Sequence, residues 1–180
     1  DGRRRIRVVD HGVDCEKFKP LAAGPTTAPI VLFVGSFGHT PNRDAIGWLF
    51  SEIWPRIRAE RPDARLQVVG AHAPPEILAA DGRDGIEVVG TVPDTAAYYR
   101  DARVLLAPVR AGSGTRLKIL EAFASGVPVV TTRLGAEGIA AQDGEHLLTA
   151  ESAPELAAAT CRVLADDFLA RRLGESARAL

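Results

Sequence analysis

Between Pro108 and Thr132 the sequence reads PVRAGSGTRLKILEAFASGVPVVTT. A loop of small residues, Gly112, Ser113, Gly114 and Thr115, leads directly into a stretch carrying Arg116, Lys118 and Glu121. These residue types in this order suit a nucleotide diphosphate. N–H groups at a helix start lack intrahelical partners and can cradle an anion, and glycines at 112 and 114 let that backbone approach closely. Arg116 and Lys118 would bring positive charge to the diphosphate, which counts most as charge develops on a departing group. Glu121 lies three residues beyond Lys118, on the same helical face, and about 9 Å along from Thr115 at the usual helical rise. That distance matches the span from phosphates to ribose, where a carboxylate can accept from paired hydroxyls. The same residues also have an ordinary reading: a Lys-x-x-Glu pair is commonly a surface ion pair worth a few tenths of a kcal/mol, and Gly-Ser-Gly is commonly a plain loop.

Neither a Gly-x-x-x-x-Gly-Lys-[Ser/Thr] loop nor a Gly-x-Gly-x-x-Gly after a strand occurs, which argues against a P-loop enzyme and a dinucleotide-dependent dehydrogenase. Net charge is −1 and the isoelectric point about 6.5, so no global field favours nucleic acid or an anionic membrane. Arg3, Arg4, Arg5 and Arg7 read as a solvated terminal segment. Cys15 and Cys161 form no metal-ligand or redox motif and are expected to be reduced, which with the absence of a leader pattern implies a cytoplasmic protein. No apolar run approaches the ~20 residues of a membrane span. The start at Asp1 reads as the middle of something longer.

The elements that must position this chemistry follow from apolar runs and punctuation. Strands are expected at 30–34, 66–69, 86–89, 104–107 and 127–131, with a last short one in 146–149; Ile6–Val9 is another β-type run. Helices are expected at 42–60, broken or kinked at Pro55, and at 75–80, 95–101, 115–124, 154–164 and 167–180. Residues 21–29 have linker composition. Alternation of this kind predicts an α/β fold, a Rossmann-like parallel sheet with helices on both faces. Ligands bind such sheets beyond the carboxyl ends of the strands, which here are Gly35-Ser36, Gly70, Gly90-Thr91-Val92, the loop 108–115 and Thr132.

Taken together, these segments resemble the C-terminal half of a GT-B glycosyltransferase of the large retaining family 4, the group 1 enzymes. The likeness rests on Gly12-Val13-Asp14 with Phe18-Lys19-Pro20 (His11 standing where relatives have Asn), on Phe33-Val34-Gly35-Ser36-Phe37 with Pro41-Asn42, and on LQVVG, VVGTVPD, the central segment and GAEGI, in the family's order. The resemblance implies that 1–29 is an interdomain segment and linker, that 30–180 is the nucleotide-sugar-binding domain, and that an N-terminal acceptor domain is missing from the chain. It further implies that Glu121 holds the donor ribose, that Arg116 and Lys118 with the loop Gly112–Thr115 hold the diphosphate, that Val92 offers its backbone to the base, and that Gly35 and Ser36 lie beneath the phosphates or sugar. The donor would be a UDP-, GDP- or ADP-sugar, used as substrate, with no cofactor or metal; His39, His72 and His146 show no ligand spacing. Relatives often carry Glu at the position of Ser113 and Gly-Arg after the first strand. Tyr98 and Tyr99 are expected to pack, and Glu137 to cap a turn. The partners implied are a nucleotide sugar and the N-terminal half, with peripheral membrane contact of the full-length enzyme left open. The chain alone is expected to bind nucleotide weakly and transfer nothing. Two alternatives stay open: a non-catalytic nucleotide-binding or scaffold module of this fold, and a GT-B-fold sugar-nucleotide epimerase.

Overall fold

Apolar runs ended by glycine or a turn become six short strands: β1 (Ile30–Val34), β2 (Arg65–Val69), β3 (Ile86–Gly90), β4 (Val104–Ala107), β5 (Val129–Thr131) and β6 (Leu148–Thr149). The structure is a computed structural model that describes residues 12–20, 26–112 and 114–180. The Ile6–Val9 run, the N-terminal arginines, His11, residues 21–25 and Ser113 lie outside the described residues. All six strands pair in parallel in the order β3-β2-β1-β4-β5-β6. The expected doubly wound α/β sheet is therefore present.

Alternation along β1 sorts the core into two layers. Val31 and Phe33 face one cluster with Ile46, Leu49, Ile53, Trp54, Leu156 and Leu173. Leu32 faces the opposite cluster with Tyr99, Ile119 and Phe123. Helices thus cover both faces, as parallel strands buried on both sides require. On the first face run α1 (Thr40–Trp48), a π-helical segment (Leu49–Ile53) and α2 (Trp54–Glu60). As expected at Pro55, the α-helix is interrupted there: a π-helical segment ends the first stretch, and α2 restarts at Trp54 with the proline in its first turn. Trp54 donates its N–H five residues back, to Leu49 O. That widened turn makes room where a proline ring would otherwise meet the preceding turn.

The short helices α3 (Pro75–Leu78) and α4 (Ala96–Asp101) follow β2 and β3. Three features of the second half differ from the sequence reading. The helix after β4, α5 (Leu117–Ala124), starts two residues later than expected, because Arg116 at φ −85°, ψ 44° lies outside the helical basin. Strand β5 starts at Val129 rather than Val127, since Pro128 has no N–H to give a ladder. An unexpected turn of helix, α6 (Arg133–Ala136), is capped by the Thr132 hydroxyl accepting from Gly135 N–H. The closing helices α7 (Ala153–Ala165) and α8 (Asp167–Ala179) sit where expected. Ser152 and Glu155 form a reciprocal capping box on the first, and Asp166 caps the second.

Two local devices shape the upper edge of the sheet. A Cβ at Gly70 would collide with the Gly35 carbonyl oxygen, so the ends of β1 and β2 approach as only glycine permits. Residues 12–20 dock on the domain through Phe18, buried and edge-on to Tyr99 at 5.7 Å between ring centres, and through Lys17, 3.1 Å from Asp94.

Candidate functional site

Strand order reverses between β1 and β4: β2 lies on the far side of β1, and β5 on the far side of β4. In sheets of this kind ligands bind in a crevice at this switch point, which here the β1–α1 and β4–α5 loops flank. One wall is the β1–α1 turn with Gly35 and Ser36. The other is the β4–α5 loop with Gly112, Gly114 and Thr115, leading to Arg116, Lys118 and Glu121.

The second loop is tied down on both sides. Arg110 makes a two-pronged bond to Asp44 of α1 (3.0 and 2.7 Å), its guanidinium 4.6 Å from the Trp48 ring centre. Thr132 donates its hydroxyl to Val109 O at 2.5 Å. Gly112 takes φ +100°, a left-handed geometry open to glycine and few others. Arg116 then folds back: its Nη2 donates to Gly112 O (3.0 Å) and to Leu134 O of α6 (2.8 Å), with Glu137 at 3.9 Å. Its Nε–H is buried with no partner among the described residues.

Lys118 points towards the β1 side. Its ammonium donates to Asn42 Oδ1 at 2.8 Å and lies 5.3 Å from the Phe33 ring centre. Burial lowers its pKa to about 8, helped by the Arg116 charge and opposed by Glu121. Glu121, half-buried, accepts from the Tyr99 hydroxyl at 2.9 Å. Burial pushes its carboxyl upward, while the Tyr99 bond and the positive charges of Lys17 and Lys118 pull it down. The Tyr99 hydroxyl, itself buried beside that carboxylate, is driven well above its ordinary value.

The surface ion pair that a Lys-x-x-Glu spacing would form is therefore not made. Lys118 and Glu121 each bond a neutral side chain from another element. Asn42 also links Lys118 to the β1 turn, since its Nδ2 donates to Ser36 O at 2.8 Å. Gly35, beneath it, has no room for a Cβ: one would sit 2.7 Å from Asn42 Cγ. Val92 is half-buried against the cluster that holds Tyr99. Among the described residues no hydrogen bond joins it to Arg116, Lys118 or Glu121, and Gly114 and Thr115 are exposed with no such bond either.

Sequence reasoning missed three participants. Tyr99 was expected only to pack; it does, fully buried, and also holds Glu121. Leu134 gives a carbonyl from a helix that was not expected, although Thr132 three residues before Gly135 is a cap signal. Asn42, in the first turn after the first strand, was noted only as part of a pattern. Glu137 caps a turn as expected, as the C-cap of the one-turn helix α6. His146 is buried, its Nδ1 accepting from Gln142 N–H. Burial raises the Cys161 thiol to about 11, so it is inert.

A family model described as glycosyl transferases, group 1, matches residues 28–166. The chain belongs to this family. Among relatives of the group 1 glycosyltransferases, a phosphatidyl-myo-inositol mannosyltransferase of Mycolicibacterium smegmatis is 32% identical over 180 residues, spanning 95% of this chain and 45% of its own length. The chain thus spans about half the length of that curated relative. A solved C-terminal domain of a group 1 family protein (LpcC) from Francisella tularensis superposes with a TM-score of 0.70 at 20% identity, covering 93% of this chain and 95% of that one. S. aureus TarM, crystallised as a mutant with Fondaparinux, alpha-GlcNAc-glycerol and UDP, gives 0.78 at 16% identity, covering 99% and 36%. These likenesses place the chain in the GT-B fold, as its C-terminal half.

Proposed function

We propose that this domain is the donor half of a retaining glycosyltransferase, which binds a nucleotide diphosphate sugar and supports departure of its diphosphate. The observation that carries this reading is the pairing of Lys118 and Glu121 on one helix at the switch-point crevice, each held by a neutral partner. A cation and an anion kept out of mutual neutralisation stay available for opposite ends of a ligand. The ammonium meets the diphosphate and the carboxylate meets the ribose hydroxyls.

As the bond from the anomeric carbon to the β-phosphate oxygen breaks, negative charge gathers on the diphosphate. Lys118 and Arg116 lower the energy of that state because they are already oriented, with little reorganisation left to make. The buried Nε–H of Arg116 is one donor with no acceptor competing for it among the described residues. The loop Gly112–Thr115 would follow the phosphates, Gly35 and Ser36 would underlie them, and Val92 would meet the base. The mannosyltransferase relative and the UDP complex of TarM support a nucleotide sugar as donor class; UDP, GDP and ADP remain the bases to test. Acceptor and anomeric stereochemistry belong to the whole protein, where an N-terminal half would close over the donor. The phosphatidyl group in the relative's name supports peripheral membrane contact for that assembly.

Calorimetry with UDP, GDP and ADP tests the reading. One of them binds, and Glu121→Ala weakens it tenfold or more, about 1.4 kcal/mol at least. The chain by itself transfers no sugar. A second reading, a non-catalytic module that kept the fold, draws on Ser113 standing where relatives often carry Glu. Failure of all three nucleotides to bind would favour that module.

A further inference from the structure

We infer that Asn42 is a positioning residue for the donor diphosphate: it presents the Lys118 ammonium to the crevice and leaves its charge uncompensated. This inference rests on the donor-site reading above. The chemistry of the two contacts fixes the amide. Ser36 O can only accept and the ammonium can only donate, so Nδ2 must face Ser36 (2.8 Å) and Oδ1 must face Lys118 (2.8 Å). The side chain packs directly on Gly35, its Cγ 2.7 Å from where a Cβ there would sit. Asn42 thus carries the position of the β1 turn into the position of a cation on α5, across the switch point.

A neutral acceptor matters here for a physical reason. A carboxylate at this place would bind the ammonium more strongly and cancel its charge before a ligand arrived. An amide oxygen holds the same geometry at the strength of an ordinary hydrogen bond. The other contact on the lysine, the Phe33 ring, is also uncharged. Among the described residues the charges acting on Lys118 are Arg116, just before α5, and Glu121 within it, while β1 and α1 contribute Phe33 and Asn42. The cation is therefore met from β1 and α1 by neutral groups, Phe33 and Asn42.

The test compares wild type, Asn42→Ala, Asn42→Asp and Lys118→Gln. Titration of the Lys118 Nζ is followed by heteronuclear NMR, and calorimetry measures whichever of UDP, GDP and ADP binds, together with its nucleoside. Asn42→Ala lowers the lysine titration below its value of about 8, and Asn42→Asp raises it by more than one unit. Both variants lose at least fivefold in nucleotide affinity and keep nucleoside affinity within twofold. Asn42→Asp also sets a carboxylate oxygen against Ser36 O; should it fail to fold, Asn42→Ala alone decides. An asparagine that merely braces the turn would move nucleotide and nucleoside together and leave the lysine titration in place, and that result overturns the inference. If Lys118→Gln binds nucleotide as tightly as wild type, the donor-site reading fails instead, and the diphosphate half of the inference with it. The lysine titration then still decides whether Asn42 sets the charge.

Discussion

At the scale of single residues the site holds Lys118 and Glu121 each against a neutral side chain, Asn42 and Tyr99. Lys118 shows the consequence for pH. Its folded pKa of about 8 lies below the ordinary 10.5 because burial disfavours the ammonium. Folding therefore expels a proton between those values, and this group's contribution to stability rises from pH 8 to 10.5 and is lost as pH falls through 8. Nucleotide binding runs the other way, since a diphosphate favours the ammonium. Affinity is expected to hold below pH 8 and to decline above it, with proton uptake near pH 8 visible as a buffer-dependent heat of binding. In Lys118→Met both effects vanish; a decline that persists in this variant would assign the titration to another group. Tyr99→Phe tests the other charge. Without its hydroxyl the Glu121 carboxyl titrates higher still, folding loses about 1 kcal/mol, and nucleotide affinity drops severalfold, as denaturant melts and calorimetry would report.

At the scale of elements, two contacts set the crevice. The close approach of β1 and β2 depends on Gly70, whose replacement by Ala would drive a Cβ into the Gly35 carbonyl. Backbone cannot yield as a side-chain tip does, so Gly70→Ala is expected to cost several kcal/mol, in the range of a large core defect, and to shift the β1 turn that bears Ser36. An urea midpoint equal to wild type would contradict this close packing. Behind the sheet, Arg103 is a buried cation that ties three elements. Its Nε donates to Val163 O (3.1 Å), Nη1 to Thr26 O (3.1 Å) and Nη2 to Asp167 Oδ1 (2.6 Å). Arg103→Met leaves the Val163 and Thr26 carbonyls without this donor, and the largely exposed Asp167 without its cation, and is expected to destabilise by about 2 kcal/mol. It should loosen the α7–α8 junction while nucleotide affinity stays within twofold, because none of its partners lines the crevice.

For the molecule as a whole, one sheet separates two apolar layers, so the layers are expected to unfold together. Leu105 faces the α4–α5 side and Leu106 the side with both tryptophans, Trp48 and Trp54. Truncating either to Ala should cost about 2–5 kcal/mol. Tryptophan fluorescence and far-ultraviolet circular dichroism should then give one shared midpoint for each variant. A Leu105→Ala chain whose tryptophan signal melts as in wild type would show two independent layers.

How much of this could be read from the residues depends on the range of the interactions. The strands were legible because a β-strand buried on both faces must be apolar throughout, and Ile30–Val34 and Val104–Ala107 are. The helix with Lys118 and Glu121 was legible because a cation and an acid on one face after a glycine loop form a local pattern. Errors fell where a local rule met a tertiary constraint: α6 hidden in four residues, and α5 delayed while Arg116 turns back to Leu134. By itself, then, the sequence determined an alternating α/β chain, its family and the segment that bears the charges, since periodicity and motif spacing are encoded within one or two turns of chain. Only the tertiary structure decided which neighbours those charges meet. Asn42 lies 76 residues from Lys118, and Tyr99 lies 22 from Glu121. No spacing rule joins residues so far apart; the sheet order does, by setting β1 beside β4.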